Sequence, residues 1–439
     1  MAKAPFVVVG NSAAGLNACE ALRRCDQATP LILVSEEPTA AYSRVATPYY
    51  LCGEIGDATL FFKDDAYYER LGITRRFGER VTAVDPSRHR LTVEDGEELT
   101  YDKLLLATGS TPHRPPIAGL DATEVLPHWT LAHAQAIRER SREVSSAAVL
   151  GAGFISLLTI NAMWKLKPSI RFTVVELQPQ VMPNLLDPPA AAMLRRRMEA
   201  SGITVRTGME AVAVSQQQGR KLVHLKDGSR LDVEMIVLGA GVRPNIDFLH
   251  GSGIACQRGI LVDERMQTNQ PDVYAAGDCA EGFDFLSGER VVHAIWPTAV
   301  EQGRIAGVNM AGGSARYPGS LSMNVLDAFG LTLTSIGIFS ERPGVEMYSF
   351  TSANGDVYRK IALRDGCLVG MIAAGGPEEA RSMGVVQQLI RRRLEIHRWK
   401  EALLRNPGIY GRICQESQQG PGLGRPPTAT ASASRRGPV

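Results

Sequence analysis

Apolar and polar positions along this chain alternate between two periods. Residues 5–9 (PFVVV) form a β-branched run, GNSAAG interrupts it, and NACEALRRC then sets apolar residues at helical spacing. The next apolar run, LILVSEE at 31–37, ends in acid, so the first 37 residues predict a strand–helix–strand unit. The same order returns at AAVLGAGFISLLTINAMW and RFTVVELQ (171–178), a second unit of the same grammar. Between the two, RVTAVD, HRLTVED and YDKLLLATG alternate as strands, and ITVRTG, AVAVSQ, KLVHLKDG and MIVLGAG repeat that order over 203–239. GILVDERMQTNQPDVYAAGD (259–278) predicts two short strands that end at a Gly-Asp turn, and a helix follows over about 297–311. From about residue 322 the hairpin signals Asn354-Gly355 and Asp365-Gly366 predict an α+β region. RRRLEIHRWKEALLR (391–405) predicts a basic helix, and the Pro/Gly/Ser/Ala-rich tail beyond Gln415 predicts disorder.

A chain of 439 residues exceeds one ordinary core, so two or three domains are expected. Hydrophobic residues at 44% and charged residues at 21% suit a soluble globular protein, and a net charge of +2 gives no electrostatic case for nucleic acid or membrane. The cysteines, at 19, 25, 52, 256, 279, 367 and 414, form no C-x-x-C pair and no metal-ligand spacing. An odd, scattered set fits a reducing cytoplasm, and no metal site is expected. The stretch 144–164 carries no charge, but Gly151, Gly153, Ser156 and Asn161 lie within it, so it reads as a buried strand–turn–helix rather than a membrane span. MAKAPFVVVG superficially resembles a signal peptide, yet a glycine turn and a helix follow it directly.

The turns carry the chemistry. GNSAAG puts Gly10 and Gly15 at the first and third positions of a dinucleotide fingerprint, with Ser12 in the middle and Ala14 beside Gly15. A plain α/β turn would read the same way. GAGFIS keeps Gly151 and Gly153, sets Ser156 third, and opens a helix at Phe154 and Ile155. Each helix start offers N–H groups and a positive dipole end to phosphate oxygens. Glu176 ends FTVVE, 25 residues after Gly151, where a carboxylate binds ribose hydroxyls. LQPQVMP after it contains no arginine for a 2′-phosphate, so NADH is expected over NADPH. In the first unit Glu36, after Ser35, takes that place.

Together these features resemble the FAD/NAD-dependent pyridine nucleotide-disulfide oxidoreductase family over residues 5 to about 410. The stretches YDKLLLATGS, MIVLGAGVRPN, TNQPDVYAAGDCA and IWPTAVEQGRIAGVNMAG add to the likeness. The resemblance implies an α/β fold with two Rossmann-like dinucleotide-binding domains, for FAD and NAD, and a small C-terminal α+β domain. It implies FAD contacts from Gly277 and Asp278, from Ala107, Thr108 and Gly109 of the ATG stretch, from Arg44, and from Pro297 and Thr298 at the start of a helix aimed at the flavin. Gly241 in GVRPN is placed on the nicotinamide side. The domains expected are residues 1–118 (FAD, first part), 119–245 (NAD), 246–320 (FAD, second part), 321–412 (C-terminal, interface) and a 413–439 tail.

Three departures refine the expectation. Aligning on Pro48-Tyr49-Tyr50 puts Val45 where relatives that reduce coenzyme A disulfides or peroxides carry a redox cysteine. Cys52 therefore reads as a filler of space rather than a redox centre. Leu158 stands where many relatives place a glutamate near the flavin, and His293 near Trp296 is the one histidine expected close to it. The implied activity is hydride transfer between NADH and FAD, then electron exchange with an external acceptor: an iron–sulfur protein or a partner subunit, as in nitrite reductases, rubredoxin reduction and phenylglyoxylate dehydrogenase. No protein side chain is assigned as catalytic. Hetero-oligomers, or homodimers through the C-terminal domain, fit this reading. Two other classes compete: an NADH oxidase or CoA-disulfide-type reductase, and a flavin-bound sensor or scaffold.

Overall fold

Each strand–helix–strand block lies in a parallel five-stranded sheet, and four strands of the two sheets share one order, while the fifth follows them in the chain in the first sheet and precedes them in the second. The computed structural model describes residues 4–413 apart from 382 and 410, so the expected tail lies outside the described residues. In the first sheet Phe6–Val9 lies between Leu31–Ser35 and Lys103–Leu106, in register Phe6 with Leu31 and Lys103. Ile73–Phe77 and Val273–Ala275 form its edges. In the second, Ser146–Leu150 lies between Arg171–Glu176 and Met235–Leu238, with Thr204–Thr207 and Leu126–Pro127 outside. The central strands show no alternation of apolar and polar residues because both faces are covered: FVVV and SAAVL are buried at every position. Each first strand feeds a helix, Ala13–Cys25 and Phe154–Leu166, and the former carries Arg23 and Arg24 in its last turn, where cations suit the dipole.

The edge strand Val273–Ala275 comes from far along the chain, so the first sheet is closed only after the second block is complete. A short antiparallel pair, Ser110–Pro112 with Val242–Pro244, joins the two blocks. Each block also carries a three-stranded antiparallel sheet, Val81–Thr100 in the first and Ala211–Val233 in the second. The C-terminal region is a five-stranded antiparallel sheet whose hairpins turn at Asn354-Gly355 and Asp365-Gly366, as the turn residues predict. Tyr358 and Lys360 of this sheet tie it to the second block through Asp187, at 2.6 Å and 3.2 Å.

Residues 391–405 do not form one helix. The helix Met383–Arg391 stops there, Arg393 takes a left-handed φ of 49°, and the chain resumes as a 3₁₀ turn at His397–Trp399 and a helix at Lys400–Arg405. The physical reason is apolar patterning: Ile396, Leu403 and Leu404 are buried against the C-terminal sheet, and a continuous helix would not bring both segments onto it.

Candidate functional site

Two glycine turns, one at the end of each first strand, form the floor of the site. Gly10 has φ of 123°, and a Cβ there would lie 2.1 Å from the Ala107 carbonyl oxygen. At Gly15 a Cβ would lie 1.8 Å from the Gly10 carbonyl oxygen, so only glycine lets the turn close on itself. Ser12 precedes the helix Ala13–Cys25 without making a side-chain capping bond, which leaves the first-turn N–H groups open to an anion. Ala14 serves packing: it lies against Gly277 and, through its carbonyl, against Gly303 of the helix Trp296–Met310. A Cβ on Gly303 would approach the Ala14 oxygen to 2.1 Å, and one on Gly307 the Ala18 oxygen to 2.4 Å. The two helices thus meet backbone to backbone.

This contact sets Gly277 against Ala14, in the first turn of the helix that follows Gly10. The Gly277 N–H donates to Oε1 of the buried Gln302 over 2.8 Å, a tie that sequence reading missed. Gln302 is signalled only as an amide on the buried face of a helix. The Asp278 carboxylate accepts from the Ser110 hydroxyl at 2.9 Å. Burial pushes its pKa up, while that hydrogen bond and the charge of Arg44 oppose the rise. Arg44 donates to the Trp129 carbonyl at 3.2 Å and pairs with Glu37. Glu36 is exposed at the end of its strand; its neighbour Glu37 is the one engaged, with Arg44 and the Tyr42 hydroxyl. Pro297 lies in the first turn of Trp296–Met310 and is exposed; Thr298 is buried, and no side chain caps this helix start.

Thr108 and Asn245 clasp the two blocks together. The Thr108 hydroxyl donates to the Asn245 carbonyl at 2.8 Å, and the Asn245 amide donates to the Thr108 carbonyl at 2.9 Å. The ATG stretch and GVRPN, expected on different cofactors, are therefore hydrogen-bonded neighbours. Gly109 and Gly241, both with positive φ, have open space where a Cβ would project.

In the second cradle Gly151 has φ of 100°, and its Cβ would lie 2.3 Å from the Gly239 oxygen. Gly153 precedes the helix that begins at Phe154 and Ile155, with nothing within 4 Å of its would-be Cβ. That opening suits a pyrophosphate. Ser156, the departure from the fingerprint, puts its hydroxyl 1.8 Å from where a Cβ of Gly239 would be, so the missing side chain is exchanged across the helix–strand contact. Glu176 is buried, and its two oxygens accept from the N–H groups of Ala152 (2.7 Å) and Gln178 (2.8 Å), which fixes the carboxylate at the mouth of the turn.

The opening departures also find places. Cys52 ends the short helix Thr47–Cys52 with its thiol donating to the Tyr49 carbonyl at 3.3 Å, and burial raises its pKa. Val45 is exposed, Leu158 packs half-buried against the second block's core, and His293 is half-buried with an unpartnered Nδ1 just before Trp296. The described cysteines, including Cys52, are all free thiols.

The first cradle fits FAD on three observations: a glycine turn whose Cβ space is filled by backbone, an open helix start at Ser12, and a buried Thr39 hydroxyl without a partner, beside Asn11. The second fits NAD by its open Gly153 and fixed Glu176. Comparison with known proteins identifies the family. The family described as pyridine nucleotide-disulphide oxidoreductase matches residues 4–303, and the rubredoxin NAD+ reductase C-terminal domain matches residues 323–394. The chain is 32% identical over 410 residues to the NADH-dependent phenylglyoxylate dehydrogenase subunit epsilon of Aromatoleum evansii, covering 93% of this chain and 96% of that one. It is 33% identical to an NADH oxidase of Methanocaldococcus jannaschii, over 71% of each chain. Among solved structures, an NAD-dependent persulfide reductase from A. fulgidus superposes with a TM-score of 0.82 at 27% identity, covering 90% of this chain and 78% of that one.

Proposed function

This chain belongs to the pyridine nucleotide-disulphide oxidoreductase family, and from that premise we propose that it passes electrons between NADH and an iron–sulfur protein or partner subunit. It is an NAD(H)-dependent flavoprotein oxidoreductase. The observation that carries the acceptor is the match, nearly end to end, to a subunit named for a larger dehydrogenase. The NADH oxidase likeness supports a second reading, direct reduction of oxygen.

FAD, when bound, supplies the group that takes a hydride from NADH and can part with electrons one at a time. The protein's residues bind and orient. The helix starts at Ala13 and Trp296 offer N–H groups to negative charge, and the Asp278 carboxylate, which accepts a hydrogen bond from the Ser110 hydroxyl, would accept others from ligand hydroxyls. On the nicotinamide side, Gly153 would leave room for the pyrophosphate and Glu176 would accept hydrogen bonds from ribose hydroxyls. With Glu176 already held by two N–H groups, a 2′-phosphate would meet a fixed negative charge. We propose the domain limits given above and, from the free and scattered cysteines, a cytoplasmic setting. No helix among the described residues is long and apolar enough to cross a membrane.

Stopped-flow reduction of the flavin under anaerobic conditions tests the reading. NADH is expected to exceed NADPH by at least tenfold in kcat/KM, on the order of 1.4 kcal/mol. Equal rates would remove Glu176 from the specificity argument, and a protein whose flavin is not bleached by either would end the proposed function.

A further inference from the structure

We propose that Trp129 is a positioning residue of the flavin pocket, fixing the Asp278 carboxylate and the Arg44 guanidinium relative to each other. The proposal rests on reading those two groups as FAD contacts. The Trp129 indole N–H donates to the Ser110 carbonyl over 2.6 Å, and the Ser110 hydroxyl donates to Asp278 over 2.9 Å. On its other side the Trp129 carbonyl accepts from Arg44 at 3.2 Å. Arg44 is paired with Glu37, Glu37 accepts from the Tyr42 hydroxyl at 2.6 Å, and that hydroxyl accepts from the Leu131 N–H at 3.0 Å. Leu131 is two residues beyond Trp129, so the ring of contacts closes on the segment where it began.

That segment is itself anchored at both ends. His128 is buried with its Nδ1 2.7 Å from the Thr159 hydroxyl, whose own proton goes to the Ile155 carbonyl at 2.7 Å. The Thr130 hydroxyl caps the helix Leu131–Glu143 by accepting from the His133 N–H. Trp129 is therefore held by its neighbours, and Ser110 and Arg44 take their places from it. Two charged groups that meet different parts of one ligand need a fixed separation, which a residue bonded to both sides provides.

Trp129→Phe keeps the ring and removes the N–H. FAD release from the holoprotein, followed by the rise in flavin fluorescence on dilution, is expected to be at least fivefold faster in Trp129→Phe and in Ser110→Ala. Because both act through one path, the double variant is expected within about twofold of the faster single. The unfolding midpoint of the FAD-free protein is expected to stay where it is in the wild type. Release from Trp129→Phe within twofold of wild type, or single effects that multiply in the double variant, overturns the positioning role. A wild type that carries no FAD overturns the flavin reading itself, which is a separate failure. If Trp129→Phe does not fold, solvent exchange of the Trp129 indole N–H in the wild type decides. Slower exchange with FAD bound than after its removal supports the role, and equal exchange overturns it.

Discussion

Cys52 sits at the end of a short helix with its thiol bonded to a backbone carbonyl, beyond Val45, the position at which the family resemblance implies a redox cysteine in some members. A redox thiol works as thiolate and needs a partner within reach. Burial moves Cys52 the other way, and among the described residues it has no disulfide partner. Cys52→Ala is therefore expected to leave NADH-dependent flavin reduction within about threefold, roughly 0.7 kcal/mol. Anaerobic titration checks it: a wild type that takes up two electrons beyond its flavin, and a variant that does not, would make the thiol redox-active. His128 makes the opposite case, a buried group whose ionisation matters for stability. Burial, and then the charge of His133, lowers its pKa from 6.5 to about 4. Its folded pKa lies below the unfolded one, so the unfolded chain binds the extra proton between those values. The stability it contributes is complete above about pH 6.5 and is lost as pH falls to about 4, at most about 3 kcal/mol. Denaturant unfolding of the FAD-free protein across that range is expected to show a shallower pH slope in His128→Asn than in the wild type; identical slopes would count against it.

Among the elements, the strand–turn–helix units were the most legible in the sequence, because a β-branched run, two glycines and helical spacing are local signals. Legibility failed where one element answers another. Nothing near Ser156 says that Gly239, some eighty residues on, has given up its side chain to receive that hydroxyl. Gln302 and Asn245 were likewise silent, since their partners Gly277 and Thr108 are remote in the chain. The basic run at 391–405 misled because charge spacing outweighed the apolar positions that break it. The reciprocal exchange at Ser156 is testable. Gly239→Ala is expected to destabilise by roughly 1–3 kcal/mol through overpacking, and to weaken NADH binding. Adding Ser156→Gly to it should recover most of the loss. A double variant no better than Gly239→Ala alone would show that the two residues do not share that space.

At the scale of the whole molecule, two dinucleotide blocks are clasped at Thr108 and Asn245, and the C-terminal sheet is tied to the second block through Asp187. This frame holds two cofactors in a fixed relation and leaves the acceptor to come from outside. Val45 supplies no sulfur beside Arg44, and burial raises the thiol pKa of Cys19, Cys52, Cys256, Cys279 and Cys367, so at neutral pH these five are protonated, poor relays. Electrons are then expected to leave without passing through these five thiols. At the start of the helix Trp296–Met310, exposed Pro297 and Phe62, edge-on to Trp296 at 6.0 Å with the Lys63 ammonium over its ring at 5.7 Å, form a mixed apolar and basic face, which is the expected point of approach for a one-electron carrier. Oxygen needs no such face. Steady-state turnover with NADH is therefore expected to be at least tenfold faster with an iron–sulfur protein or ferricyanide than with air-saturated buffer. Phe62→Ala is expected to lower the rate with the protein acceptor and to leave ferricyanide turnover nearly unchanged. Oxygen turnover as fast as the best protein acceptor would move the enzyme to the oxidase reading, and an equal loss with both acceptors in Phe62→Ala would mean that the face serves the fold rather than the encounter.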